Sequence, residues 1–192
     1  MFILGVTLMN PPNTSREEIM RVSRKIVSEK GLPALNMRAL AKECGIALGT
    51  LYNYYSDKDE LVVAAIESVW QDILEKSAPD SGVRFSQYVT QIYARILSGL
   101  KDYPDFFAAH SISVAGSAKG KARGTMERCF GKIRSELHAA LREDKNVDRS
   151  IFSETFREED LIEHILDTIT ISIINGKPDC TVLTEILDRL LY

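Results

Sequence analysis

Cysteine is scarce in this sequence: Cys44, Cys129 and Cys180 are the whole complement, widely spaced and odd in number. That argues against a disulfide framework, and no Cys-x-x-Cys or paired Cys/His spacing suggests zinc. Proline is scarce as well, six residues in 192, so little of the chain reads as linker. Long apolar runs are missing. Met1 to Leu8 is apolar but too short to cross a bilayer, and it lacks the basic flank of a secretion signal. Sustained two-residue alternation and Asn-Gly hairpin signals are absent, which removes β architectures. Catalytic signatures are absent too. There is no Gly-rich phosphate loop, no nucleophile elbow and no motif of paired carboxylates, and Ser111 beside His110 is not a nucleophile arrangement. His110, His138 and His164 have no paired-ligand spacing, so no metal or other cofactor is expected. These absences describe a non-enzymatic helical chain suited to a reducing cytoplasm, with no membrane partner.

The net charge of -3 excludes a uniformly basic nucleic-acid coat but leaves room for a local basic patch. Charge is uneven along the chain. Residues 10–60 hold eight Lys/Arg against seven Asp/Glu, and the remainder holds sixteen against twenty. The bias is weak, and the case rests on pattern instead.

Nearly every segment reads as helix. Thr14-x-x-Glu17 and Ser15-x-x-Glu18 are both capping-box patterns that open a first helix, whose Ile19, Val22, Ile26 and Val27 share one face. Gly31 stops it. Asn36 is a good N-cap for a short second helix that ends at Gly45. A third runs from about Leu48 to Tyr55, and Asp57-x-x-Glu60 opens a longer fourth. Further helical segments are expected over 83–103, 104–115, 121–143 and 158–175, with a last helix carrying Val182 to Leu191. Residues 1–13 read as a disordered leader, with Met9 an alternative start. Residues 14–57 read as one domain and 58–192 as another.

Two short helices joined tightly at Gly45 make a helix-turn-helix, whose second helix enters the major groove. At about 100° per residue, Leu51 and Tyr55 share an inward side of that helix while Gly49 and Asn53 point outward. Thr50 and Tyr54 flank the outward face on one side, Leu48 and Tyr52 on the other. Gly49 would allow close approach of the backbone to DNA. The hydroxyls of Thr50, Tyr52 and Tyr54 suit phosphate, and Lys58 with the amides of the fourth helix would add a positive helix end. Asn36 and Arg38, at the start of the second helix, complete the candidate DNA-facing set. Arg38 is equally readable as a solvated residue.

The run from Leu40 to Leu61, LAKECGIALGTLYNYYSDKDEL, resembles the DNA-binding signature of the TetR/AcrR family of bacterial regulators. The resemblance covers about a quarter of the chain if the first helix is included. It implies an all-α fold of about nine helices: an N-terminal three-helix DNA-binding domain, then a C-terminal helical ligand-binding and dimerisation domain. By the same resemblance, Thr50, Tyr52, Tyr54 and Lys58 fall at DNA-contacting positions. Leu48 departs from the polar residue common there, which suggests apolar contact with a thymine methyl. The implied function is a repressor that binds palindromic double-stranded operator DNA as a homodimer and is released by a small molecule.

Aromatic residues concentrate between Trp70 and Phe130. Trp70, Tyr88, Tyr93, Tyr103, Phe106, Phe107, His110 and Phe130 are candidates to line a cavity for a small apolar or aromatic effector, although each also reads as ordinary core. Near the C-terminus, Ile162, Ile165, Ile169 and Ile173 on one helix and Leu183, Ile186, Leu187 and Leu190 on the next form stripes wide enough for a four-helix dimer interface. The competing readings are an enzyme or carrier built on a helical bundle, and a pure interaction protein.

Overall fold

A computed structural model of the chain describes residues 14–75, 79–80, 82–104, 106 and 119–192. The leader, most of the segment expected to be helical over 104–115, and with it Phe107 and His110, lie outside the described residues. Among those described there are eight α-helices: α1 Arg16–Lys30, α2 Met37–Glu43, α3 Leu48–Tyr52, α4 Lys58–Glu75, α5 Phe85–Leu100, α6 Lys119–Glu143, α7 Glu158–Ile174 and α8 Thr181–Leu191. The β pairing among them is a single antiparallel bridge, Ser153 to Phe156. The all-helical expectation holds.

Local chemistry sets the N-terminal helix ends. Ser15 Oγ accepts from the Glu18 amide at 3.2 Å and opens α1. Glu18 does not close the expected box, because its carboxylate is taken by Arg21 at 2.5 Å. Asn36 Oδ1 accepts from the Ala39 amide at 3.0 Å and opens α2. The turn after α2 is a complete Schellman motif: the Gly45 amide bonds to the Lys42 carbonyl and the Ile46 amide to the Ala41 carbonyl. Gly45 sits at φ +67°, a conformation that side-chain-bearing residues resist, so this turn depends on glycine.

The longer helices are held by apolar faces. On α4, Leu61, Ala65, Ile66, Val69, Ile73 and Leu74 are buried. This helix packs against α1 on one side and against α5 and α6 on others, so it joins the N-terminal helices to the rest. α5 also meets α6 and α8, and α6 packs on α7. The crossing of α4 and α5 is a backbone approach. A Cβ on Gly99 would lie 2.6 Å from Ile73 Cγ2 and 3.0 Å from Ile73 Cα. Gly99→Ala should therefore destabilise the fold by about 1–3 kcal/mol despite the better helix propensity of alanine. A urea-unfolding midpoint equal to that of the native chain would contradict this packing.

Candidate nucleic-acid interface

α3 is held from inside and open outside. Leu51 is fully buried and Tyr55 is 2% exposed. Gly49 and Asn53 are exposed, and Tyr52 is 50% exposed. Leu48, Thr50 and Tyr54 are half-buried at the flanks, and Leu48 and Tyr54 pack against the core. Asn36, Arg38 and Lys58 are exposed, with Lys58 the first residue of α4.

Two of these groups have internal work that spacing did not reveal. The Tyr54 hydroxyl donates to the Thr14 carbonyl, so it fastens the start of the fold to the end of α3. Arg16 reinforces the same junction, with Nη2 donating to the Tyr54 carbonyl at 2.8 Å and the guanidinium 5.1 Å from the centre of the Tyr55 ring. Arg16 precedes its carbonyl partner by 38 residues, and no local pattern could have disclosed it. The amides at the start of α4 are likewise partly occupied by the chain itself. Asp57 Oδ1 accepts from the Glu60 amide at 2.7 Å, and Ser56 donates its amide and hydroxyl to Glu60 Oε2, each at 2.8 Å. Those bonds, the Ser56 amide first, hold the Glu60 carboxyl below its ordinary range. Lys58 thus shares its turn with three carboxylates, Asp57, Asp59 and Glu60, which tempers the positive helix end expected there.

The module is tied to the remaining helices at several points. Arg24 Nη1 donates to Ser68 Oγ at 2.5 Å, and Ser28 Oγ donates to the Asp102 carbonyl beyond α5 at 2.7 Å. On α4, Asp72 Oδ2 accepts from the Tyr103 hydroxyl at 2.7 Å.

Residues 19–65 match the sequence profile of the bacterial regulatory proteins of the tetR family. Through this segment the chain is similar to the TetR family. Beyond this segment the likeness thins. An uncharacterised HTH-type transcriptional regulator of Haemophilus influenzae is 33% identical over 99 residues, 45% of this chain and 53% of that protein. The HTH-type transcriptional regulator UidR of Escherichia coli is 32% identical over 78 residues, 40% of each. The chain thus spans about half the length of the curated relatives it matches, or less. Over nearly the whole chain only the fold is shared. A crystal structure of BioQ with its double-stranded DNA operator superposes with a TM-score of 0.64 at 16% identity, covering 92% of this chain and 98% of that one. The multidrug binding protein EbrR complexed with imidazole gives 0.59 at 16% identity, covering 92% and 94%.

The described candidate effector residues separate into three places. Trp70, Tyr103, Phe106 and Phe130 form a cluster in which the Trp70 ring lies 6.1 Å from Phe106 and 5.7 Å from Phe130, and Tyr103 lies 6.2 Å from Phe106. Tyr93 is buried elsewhere, its hydroxyl donating to the Lys177 carbonyl at 2.8 Å. Tyr88 instead lines a cleft between α5 and the C-terminal end of α6.

The C-terminal stripes also divide. Ile162 and Ile165 are fully buried in the subunit's own core, and Ile169, Leu183 and Leu187 are nearly so. This corrects the expectation that they face a partner: the first turns of α7 spend their apolar side on α6. The apolar groups left outside are Ile171, Ile174, Val182, Ile186 and Leu190, with Ile173 half-buried beside them. Some of these line an apolar groove of about 550 Å³ between α7 and α8, whose walls include Ile165, Val182, Ile186 and Leu190. Among the described residues no helix is long and apolar enough to cross a membrane, and no group of three or more His, Cys, Asp or Glu could hold a metal.

Proposed function

We propose that this protein is a cytoplasmic, sequence-specific DNA-binding repressor that works as a homodimer and leaves its operator when a small molecule binds the C-terminal helices. The outward face of α3 carries the reading: Gly49, Asn53 and Tyr52 are exposed while Leu51 and Tyr55 anchor the helix from below. In this reading residues 14–57 form the DNA-binding domain and 58–192 the effector and dimerisation domain. Leu48 and Asn53 read base edges, and Thr50, Tyr52 and Lys58 hold phosphates, with Arg38 and Asn36 beside them. The Tyr54 hydroxyl is left to its structural bond. The DNA of the BioQ complex and the small ligand of the EbrR complex support the two halves by analogy of fold.

The test is a labelled DNA fragment from the promoter region of the chain's own gene. Native protein should retain it. Lys58→Ala should weaken binding to every sequence alike and lower the slope of log affinity against log salt by about one. An unchanged slope would remove Lys58 from the phosphate contacts.

Dimerisation follows from the uncovered apolar surface of α7 and α8. A two-fold pairing there would present two α3 helices to a palindromic site about one turn of DNA apart. Ile186 is 56% exposed, so Ile186→Asp should leave the subunit folded and convert the dimer to monomer in light scattering at micromolar concentration. A native chain that is already monomeric would defeat this part of the reading. The aromatic cluster around Trp70 supports an apolar or aromatic effector. Release is a population shift, in which the effector favours the arrangement that spaces the two α3 helices wrongly for the operator.

A further inference from the structure

A second opening, lined by charged and apolar groups together, is separate from the aromatic cluster. It is a cleft of about 680 Å³, within the size range of small-molecule sites. One wall is the start of α5: Arg84 just before the helix, then Gln87 and Tyr88 in its first turn. The other is a face of α6, where Glu136 and Glu143 stand two turns apart, about 10 Å along the axis, with Ala139 and Ala140 between them. Its charges are not equally available. Asp144 is taken up by the Phe85 amide at 2.9 Å, the Asn146 amide at 3.0 Å and the Tyr192 hydroxyl. The Arg84 guanidinium lies 4.8 Å from the centre of the Tyr192 ring. Lys145 is exposed at the rim, beyond the end of α6.

Glu136 already has a cation. The buried Arg95, its side chain 4% exposed, donates Nη2 to Glu136 Oε2 at 2.5 Å. The same guanidinium reaches back through Nη1 to the Leu74 carbonyl, 3.4 Å away, in the last turn of α4. The cleft wall is therefore joined by one guanidinium to the helix that begins at Lys58 beside the candidate DNA face. Burial first, then Glu136, push the Tyr88 phenol up, with Arg95 opposing and Glu143 adding a smaller part.

We propose that this cleft binds a small organic cation, an amine or amidine on an apolar body, between the Tyr88 ring and the carboxylates of Glu136 and Glu143. The alanines of α6 and Val83 receive the apolar body, and the aromatic face and the acids receive the charge. Because the ligand competes with Arg95 for Glu136, it loosens the hold of Arg95 on the end of α4. That consequence for DNA rests on the regulatory reading above, whereas occupancy of the cleft does not.

Benzamidine, benzamide and benzoate share one shape and carry charges of +1, 0 and -1, so titration calorimetry on the full chain with these three probes decides the matter. Benzamidine should bind saturably, benzamide at least tenfold more weakly, and benzoate not at all. Glu143→Gln should weaken benzamidine at least tenfold with the thermal melting of the unliganded chain unchanged, and Tyr88→Ala should weaken it as much while lowering the melting point, since its ring also packs on the core. Lys132→Ala, outside the cleft, should bind as native. Benzoate binding as tightly as benzamidine, no benzamidine binding, or a native-like Glu143→Gln would each overturn the proposal. In the operator assay benzamidine should release DNA from the native chain and not from Glu143→Gln. Saturable benzamidine binding without release would overturn the route through Arg95. A chain that holds no operator even without benzamidine would defeat the regulatory reading, and calorimetry would still decide the cleft.

Discussion

Replacing Gly49 by tryptophan should abolish operator binding, a loss of at least a hundredfold, without harming the fold. A Cβ at Gly49 would meet no atom within 4 Å, and the residue is exposed in the first turn of α3. A side chain is therefore accommodated in the free protein, and leaving glycine behind should if anything stabilise the helix by about 0.5–1 kcal/mol. On DNA the same indole would stand between the helix backbone and the groove. Fluorescence anisotropy with a labelled operator reads the first effect and thermal melting the second. Operator binding like that of the native chain would mean that α3 faces DNA with another side, and the assignments of Asn53 and Leu48 would go with it.

The largest stability effect is expected at the buried ion pair. Glu136→Ala removes the carboxylate facing Arg95, whose side chain is 4% exposed, and leaves its guanidinium without that counter-charge inside the fold. The expected loss is about 3–5 kcal/mol, because the Glu136 carboxylate no longer offsets the desolvation of the arginine. Replacing both partners by methionine should recover most of it, since an apolar pair of similar volume carries no desolvation cost. The exposed pair Arg157–Asp160, at 60% and 46% side-chain exposure, is the control. Asp160→Ala should lower the unfolding midpoint far less, because solvent screens the lost pair. Urea-unfolding midpoints of the three variants and the native chain give the comparison. A Glu136→Ala midpoint no lower than that of Asp160→Ala would mean that Arg95 finds water or another acceptor.

The reading of the α3 face and the burial of Arg95 stand at opposite ends of what a sequence can disclose. The sequence by itself determined the helices and the helix-turn-helix. Ser15, Asn36, Asp57 and Gly45 act within a few residues of themselves, so their roles are legible from spacing, as is the inward side of α3 at Leu51 and Tyr55. Only the tertiary structure decided what covers each apolar face. Periodicity marked Ile162, Ile165 and Ile169 as apolar but did not distinguish a partner from the subunit's own α6, and it turned out to be α6 for these and solvent for Ile174 and Ile186. The same holds for Tyr54, fastened to Thr14 forty residues away, for Tyr88, which lines the α5–α6 cleft apart from the aromatic cluster, and for Arg95, which nothing in its neighbourhood marks as buried. Capping and helical period are short-range and written locally, whereas burial and long-range hydrogen bonds depend on which helices the folded chain brings side by side.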